Sequence, residues 1–325
     1  MKRVQKDLVV LQSYGLTVLR SYGLVILILL FSIIDKTYSQ TDPMLFQQTH
    51  VRGMINPAAT GKGGDITNSL SVRQQWIGFV GTSTQVLLVN GFVNSLTSGF
   101  GLTCIFDGYG PQQTKNIKAN YAFFVPYDDE AFFAMGLGLG VMNNTYKGGD
   151  YFISRDPHDL SIPLETQSKT LPDFDFGVEF NTRNFELGAS ITHITYGYRD
   201  QMIMRPMRNY FLYTRAKFPI NNNWDFIPGI TLQNNRKVNA VEVNTGLRYN
   251  NNLYVNFAYR NPMNLGLGVG INLNEEFRFV YSYDYGFDNL SSYNSGTHEI
   301  TVSYSIRVNT TYIKNRMRFF KWKMF

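Results

Sequence analysis

The stretch Gly296–Val308, with the sequence GTHEITVSYSIRV, decides the fold. Apolar or aromatic side chains stand at every second position from Ile300 to Val308, and polar side chains fill the positions between them. This period of two is the pattern of a β-strand with one apolar and one polar face. In a membrane barrel, the apolar face of such a strand meets lipid and the polar face lines the interior.

The same alternation recurs upstream of this stretch. From residue 69 onward it appears in segments of about 8–12 residues, separated by the Asn, Gly, Pro and Asp clusters that are typical of turns. Such lengths suit tilted strands that cross a membrane, which need about 9–11 residues. We predict fourteen strands, at residues 69–76, 82–93, 97–106, 114–125, 130–141, 172–181, 184–193, 209–219, 224–233, 240–249, 252–261, 264–272, 275–285 and 297–308.

The composition favours a barrel over a helical membrane protein. Hydrophobic residues make up 44% of the 325 residues and aromatic residues 15%, yet the mean hydropathy is only −0.19. After residue 40 the chain has no apolar run of about 20 residues, the length that a transmembrane helix requires. Because apolar and polar residues alternate along the strands of a barrel, a chain rich in apolar residues keeps a low mean hydropathy. We therefore predict an all-β fold, a transmembrane antiparallel β-barrel of about 14 strands that is similar to fatty-acid porins.

The predicted connections sort into two classes by length. If the chain enters the first strand from the periplasm, every second connection is periplasmic, and none of these exceeds four residues. The three longest connections, residues 142–171, 194–208 and 286–296, all fall at the opposite end. Bacterial barrels have short periplasmic turns and longer outer loops. The sequence therefore predicts an outer-membrane barrel in this orientation.

The two termini differ from the strand pattern. Basic residues precede the apolar run Leu24–Ile34, and small residues near Ser39 offer a cleavage site before Gln40. The run is too short to span a bilayer, so we expect a cleaved secretory signal peptide, with a single anchoring helix as the alternative. The expected organisation is a signal peptide at residues 1–39, an N-terminal periplasmic or lumen segment at 40–68, the barrel at 69–308 and a basic C-terminal tail at 309–325. The tail either docks on a periplasmic partner or on the charged headgroups of the inner leaflet, or it is a disordered overhang.

No pattern in the sequence predicts catalysis, a metal site or a cofactor. Glycines recur at every second position, as at Gly136, Gly138 and Gly140, without the G-x-G-x-x-G spacing of a dinucleotide site. We expect them to form a stripe on the inner wall, where the strands bend or something packs closely. The four histidines lack metal-ligand spacing, and the body of the chain lacks the basic excess of a nucleic-acid face. A hydrolytic barrel stays open as an alternative, because a catalytic triad is defined by geometry.

The polar face of the predicted strands carries charges of both signs in similar numbers. An ion-selective pore would carry rings of one sign, and leaving a buried charge unpaired is costly. We therefore predict that these charges pair with one another and with an inserted segment, residues 40–68, that plugs the lumen. The acidic residues are Asp173, Asp175, Glu179, Glu186, Glu242, Asp284 and Glu299, and the basic ones are Arg73, Lys118, Arg215, Lys217, Arg248, Arg260, Arg278 and Arg307.

Four short motifs follow one another along the chain. They are Gln40-Thr41-Asp42-Pro43, Asn56-Pro57-Ala58-Ala59, Arg73-Gln74-Gln75-Trp76 and Gly296-Thr297-His298-Glu299-Ile300. In this order they resemble the motifs of the PorP/SprF family of the type IX secretion system. The candidate family-motif or partner-surface residues are Asp42, Pro43, Asn56, Pro57, Arg73, Gln75, Trp76, His298 and Glu299.

The resemblance implies a function and a set of partners. It implies a non-catalytic outer-membrane component of the type IX system of Bacteroidota, which supports secretion and surface attachment of adhesin-like cargo and, in some cases, gliding motility. The implied partners are outer-membrane lipid, type IX secretion components with their periplasmic ring lipoproteins, and the C-terminal sorting domain of the cargo. The alternative is a transport channel for small or hydrophobic solutes, similar to the fatty-acid porins. The type IX component and the transport channel differ in what fills the lumen of the barrel.

Overall fold

A computed structural model provides the structure of most of the chain. It describes residues 43–78, 82–128, 131–151, 165–195, 207–235, 238–261, 264–287 and 293–307. The expected signal peptide and the expected basic tail lie outside the described residues. No helix in the described part of the chain is long and apolar enough to cross a membrane.

Fourteen antiparallel strands form one closed barrel in the described part of the chain, because the last strand pairs with the first. Strand β8 is interrupted at Lys217 and continues as Phe218–Pro219, and both pieces pair with β9. The strands are β1 Ile66–Gln74, β2 Thr82–Val93, β3 Ser98–Tyr109, β4 Gln112–Pro126, β5 Ala131–Lys147, β6 Thr166–Thr182, β7 Phe185–Thr192, β8 Asn209–Ala216, β9 Trp224–Asn235, β10 Val238–Tyr249, β11 Leu253–Arg260, β12 Asn264–Asn272, β13 Phe277–Gly286 and β14 Thr297–Ile306.

The predicted barrel is confirmed, and each predicted segment overlaps one strand. The largest differences are in β5 and β6, which are each 17 residues long and continue into the predicted loop 142–171. In this extension the outward positions, such as Asn143, Thr145 and Thr170, are polar, so the apolar outer face that marks a membrane strand is absent. Asn143, for example, donates to the hydroxyls of Ser168 at 3.0 Å and Thr170 at 2.8 Å across the ribbon.

Burial alternates along the strands as the barrel requires. In β5 the outward side chains of Leu137, Leu139 and Val141 are about half exposed, at 49%, 54% and 51%. In β4 the inward side chains of Lys118 and Asn120 are almost fully buried. The outer wall is therefore apolar and suited to lipid, while the inner wall is polar. This agrees with an outer-membrane location.

The two ends of the barrel carry different connections. At the end where β1 begins, strands join through short turns, such as the two residues Arg183 and Asn184 between β6 and β7. The connection between β5 and β6, which begins with a one-turn helix at Gly148–Tyr151, lies at the opposite end. We call the end with short turns the periplasmic end and the opposite one the outer end, following the rule for bacterial barrels.

An epitope tag tests this orientation. A tag inserted near Asp156, in the connection between β5 and β6 and outside the described residues, should bind antibody on intact cells, because this connection leaves the outer end. A matched tag between Asn221 and Asn223, in the turn between β8 and β9, should bind only after permeabilisation. Antibody access to the first tag only after lysis would mean that the barrel is inverted.

Candidate functional site in the barrel lumen

Residues 43–65 lie inside the barrel and are called the lumen segment below. Every residue from Val51 to Lys62 is buried. Two short 3₁₀ turns, Arg52–Met54 and Pro57–Ala59, shape the segment. Asn56 caps the second turn by accepting the backbone N–H of Ala58 at 2.9 Å, as short polar side chains do at helix starts. β1 begins directly after the segment, three residues earlier than the sequence predicted.

Glu299 on β14 holds the first part of the lumen segment. Its carboxylate accepts the backbone N–H groups of Phe46 at 2.9 Å and Gln47 at 2.8 Å. It also lies 3.4 Å from Nη1 of Arg73, which bonds Asp284 at 3.1 Å. Hydrogen bonds to a buried carboxylate are among the stronger ones in proteins. The wall thus fixes the backbone of the segment rather than only its side chains.

Arg260 on β11 extends the same network. It donates to the backbone carbonyl of Met44 at 3.0 Å and to Glu242 on β10 at 3.0 Å. Gln48 also donates to Glu242, at 3.0 Å. We call this set of wall residues the outer network: Arg73, Glu242, Arg260, Asp284 and Glu299.

A second network holds the end of the segment. Lys62 lies 2.7 Å from Glu179 on β6 and 3.0 Å from Glu186 on β7. Glu186 also pairs with Arg52 at 3.3 Å and with Arg215 on β8 at 3.0 Å. Because all five side chains are almost fully buried, each charge depends on its partners. We call these five residues the periplasmic network.

Tyr213 on β8 connects the periplasmic network to the middle of the segment. The guanidinium of Arg52 stacks over its ring at 4.0 Å, within the range of a cation–π contact. Its hydroxyl donates to Glu179 and accepts from the side chain of Asn56 at 2.9 Å. Asn56 also donates to the carbonyl of Val178 at 3.0 Å. Asn56 therefore both shapes the segment and binds it to the wall.

Inward-facing glycines make room for the segment. A Cβ added at Gly99 would lie 1.9 Å from the carbonyl oxygen of Thr60, and one at Gly136 would lie 2.2 Å from the amide nitrogen of Ala58. At Gly266 it would lie 2.1 Å from the ring of Phe46. No side chain fits at these distances. The expected glycine stripe on the inner wall, where something packs closely, is confirmed at these positions.

A third group of wall charges is self-contained. Asp173, Asp175 and His193 bring three ligand atoms within 4.8 Å of one another, a geometry that a metal ion could use. Lys118 occupies this position with its ammonium, in contact with Asp175 and 3.9 Å from Asp173. The ammonium of Lys118 is therefore the cation that the carboxylates of Asp173 and Asp175 bind. With this group, all seven predicted acidic wall residues are in ion pairs, so the predicted pairing is confirmed for the acidic side of the wall.

A sequence match decides the family. The family model described as type IX secretion system membrane protein PorP/SprF matches residues 37–304. This chain belongs to the PorP/SprF family. It is therefore a membrane component of the type IX system, with the barrel described above in the outer membrane.

Several solved barrels are similar to this PorP/SprF protein. A Pseudomonas aeruginosa FadL homologue is 10% identical with a TM-score of 0.45, covering 78% of this chain and 93% of that chain. The P. putida toluene transporter TodX is 9% identical with a TM-score of 0.46, covering 79% and 94%. The CymD monoaromatic hydrocarbon channel is 10% identical with a TM-score of 0.47, covering 85% and 95%. These values assign no substrate to the present chain. No curated protein matches it in sequence.

The structure separates the PorP/SprF motif residues into two sets. Asn56, Pro57, Arg73 and Glu299 are buried in the lumen, where two belong to the lumen segment and two to the outer network. While the lumen segment stays inside the barrel, these four residues contact no protein outside it. The sequence offered these four as motif or partner-surface residues, and it also predicted that Arg73 and Glu299 line the lumen and that the segment with Asn56 and Pro57 enters it.

The other motif residues lie at the outer end. Asp42 is outside the described residues, and Pro43, Gln75, Trp76 and His298 are half-buried. Trp76 has a φ of 50°, which is costly for a large side chain, and its ring meets Tyr109 with centroids 6.0 Å apart. His298 bonds the hydroxyl of Tyr281 at 2.7 Å. A partner contact at these four residues stays a prediction.

Proposed function

We propose that this protein is a non-catalytic type IX component that supports secretion and surface attachment of adhesin-like cargo, with a lumen kept closed by residues 43–65. The family match supports the secretion role. One observation supports closure above the others, namely that the periplasmic network buries two cations of the segment, Arg52 and Lys62, against Glu179 and Glu186 on the wall.

The energetics of this network favour a resident segment. Removing one partner of a buried ion pair costs about 3–5 kcal/mol, and withdrawal of the segment would break three such contacts at once. The outer network would lose further bonds to the backbone of Phe46 and Gln47. A binding role needs no such withdrawal. A channel for small or hydrophobic solutes, the alternative function, requires the segment to move aside first.

The proposed partners are assigned by position. The apolar wall meets outer-membrane lipid, so protein partners are restricted to the two ends. Periplasmic ring lipoproteins would reach the periplasmic end, and the C-terminal sorting domain of the cargo would be held where it emerges at the outer end. The half-buried residues Gln75, Trp76 and His298 are the first candidates there. In hosts that glide, the same attachment would serve motility.

Deletion of the gene tests the secretion role. We expect the deletion strain to lose surface proteins with a type IX C-terminal sorting domain, measured by mass spectrometry of peptides shaved from intact cells. Wild-type protein supplied in trans should restore them. Uptake of small hydrophobic solutes should be unchanged in the same strain. Normal surface proteins together with reduced uptake would reject this proposal in favour of the transport channel.

A further inference from the structure

The amino-terminal part of the lumen segment contacts the outer ends of the strands. Arg260, which bonds the carbonyl of Met44 at 3.0 Å, is the last residue of β11, a strand that rises from the periplasmic to the outer end. Glu299, which bonds Phe46, is the third residue of β14, which descends from the outer end. Gly266, against the ring of Phe46, is likewise the third residue of the descending strand β12.

The carboxyl-terminal part contacts the opposite ends of the strands. Glu186, which pairs with Lys62, is the second residue of the rising strand β7. Gly99, against Thr60, is the second residue of the rising strand β3. β1 then starts upward at Ile66. The segment therefore crosses the lumen from the outer end to the periplasmic end before the first strand begins.

We infer that the chain enters its own barrel from the outer end, so that the amino-terminal side of Pro43 opens toward the cell surface. Pro43, the first described residue, is then part of the outer mouth. Arg260, which bonds Met44, lies 3.7 Å from Asp284, which pairs with Arg73 near Trp76. A partner bound at the outer mouth would thus meet Pro43 and the Trp76 rim together.

This direction sets an order of events during export. Eight residues lie between Ile34, the end of the expected signal's apolar run, and Pro43. Fully extended, the chain from Ile34 to Pro43 reaches at most about 30 Å, about the thickness of one hydrocarbon core. A signal still held in the inner membrane could not reach the outer end of a barrel in the outer membrane. The signal peptide must therefore be released from the inner membrane before the lumen segment can take its place in the barrel.

Cysteine labelling tests the direction in the full-length protein. The chain has one native cysteine, Cys104, so Cys104→Ser provides the background. Three single variants report on three places: Pro43→Cys on the entry point, Gly63→Cys on the periplasmic end of the segment, and Thr166→Cys on the outer end of β6. A Cβ at Gly63 meets no atom within 4 Å, so that variant is tolerated. A membrane-impermeant maleimide is applied to intact cells, to permeabilised cells and to denatured protein.

We expect Pro43→Cys and Thr166→Cys to be labelled on intact cells. Gly63→Cys should be labelled weakly on intact cells and strongly once the outer membrane is permeabilised. Labelling of Pro43→Cys only after permeabilisation or denaturation would overturn the inference, and so would a Thr166→Cys that is unreactive on intact cells. The outcome does not depend on the cargo. A deletion strain with normal surface proteins would reject the proposed function and leave the labelling result standing.

Discussion

Removal of residues 43–62 should convert the protein from a poor conductor into an open channel with large, steady conductance in planar lipid bilayers. Side chains fill the interior of a barrel of about 8 strands, whereas barrels of about 16 strands leave an aqueous channel. With fourteen strands and glycines on the inner wall, this barrel needs the lumen segment to fill it. The intact protein should show little conductance under the same conditions.

The open channel should show little preference between cations and anions. Between Pro43 and Lys62 the segment contains two cations, Arg52 and Lys62, and no carboxylate. Its removal leaves Glu186 paired with Arg215 and leaves charges of both signs on the wall, whereas an ion-selective pore carries rings of one sign. Deletion of residues 152–164, in the connection between β5 and β6, is the matched control and should leave conductance low. Large stable channels from the intact protein would contradict a resident plug.

The strands could be predicted from sequence because lipid constrains every second residue. In β14, Ile300 and Val302 are exposed on the outer wall, while Glu299 and Thr301 are buried on the inner wall, as the alternation indicates. The polar ends of β5 and β6 could not be predicted in this way. They pair beyond the lipid-facing part of the barrel, where neither face has to be apolar. The sequence therefore placed Asn143 and Ser168 in a predicted loop.

The lumen contacts were predictable only in part. Inward register identifies the wall charges, and burial requires that they pair, so the roles of Glu186 and Arg215 follow from general physics. Arg52 and Lys62 lie in a segment without periodicity, so no pattern marks them as partners. The bonds from the backbone of Phe46 to Glu299 depend on the path of the segment, which a single sequence does not contain. That path brings the motif residues Asn56 and Pro57 together with the wall inside the barrel.

A single methyl group at Gly136 should loosen the lumen segment while the same change at Gly138 should not. Both glycines lie on β5 and face inward. A Cβ at Gly136 would lie 2.2 Å from the amide nitrogen and 2.5 Å from the Cα of Ala58, both backbone atoms of the segment. At Gly138 the nearest atom is 3.0 Å away, in the side chain of Asn120 on the wall. Overpacking of this kind typically costs about 1–3 kcal/mol, and rigid backbone contacts place Gly136→Ala at the upper end.

Trypsin reports the loosening directly. Its target residues Arg52 and Lys62 are only 5% and 8% exposed, so the folded protein should resist cleavage there. Gly136→Ala should be cut at these sites markedly faster, because a destabilised segment opens more often and exposes its backbone. Gly138→Ala should be cut at the wild-type rate, since alanine suits a strand better than glycine. Equal cleavage rates in the two variants would show that the Gly136 contact does not hold the segment in place.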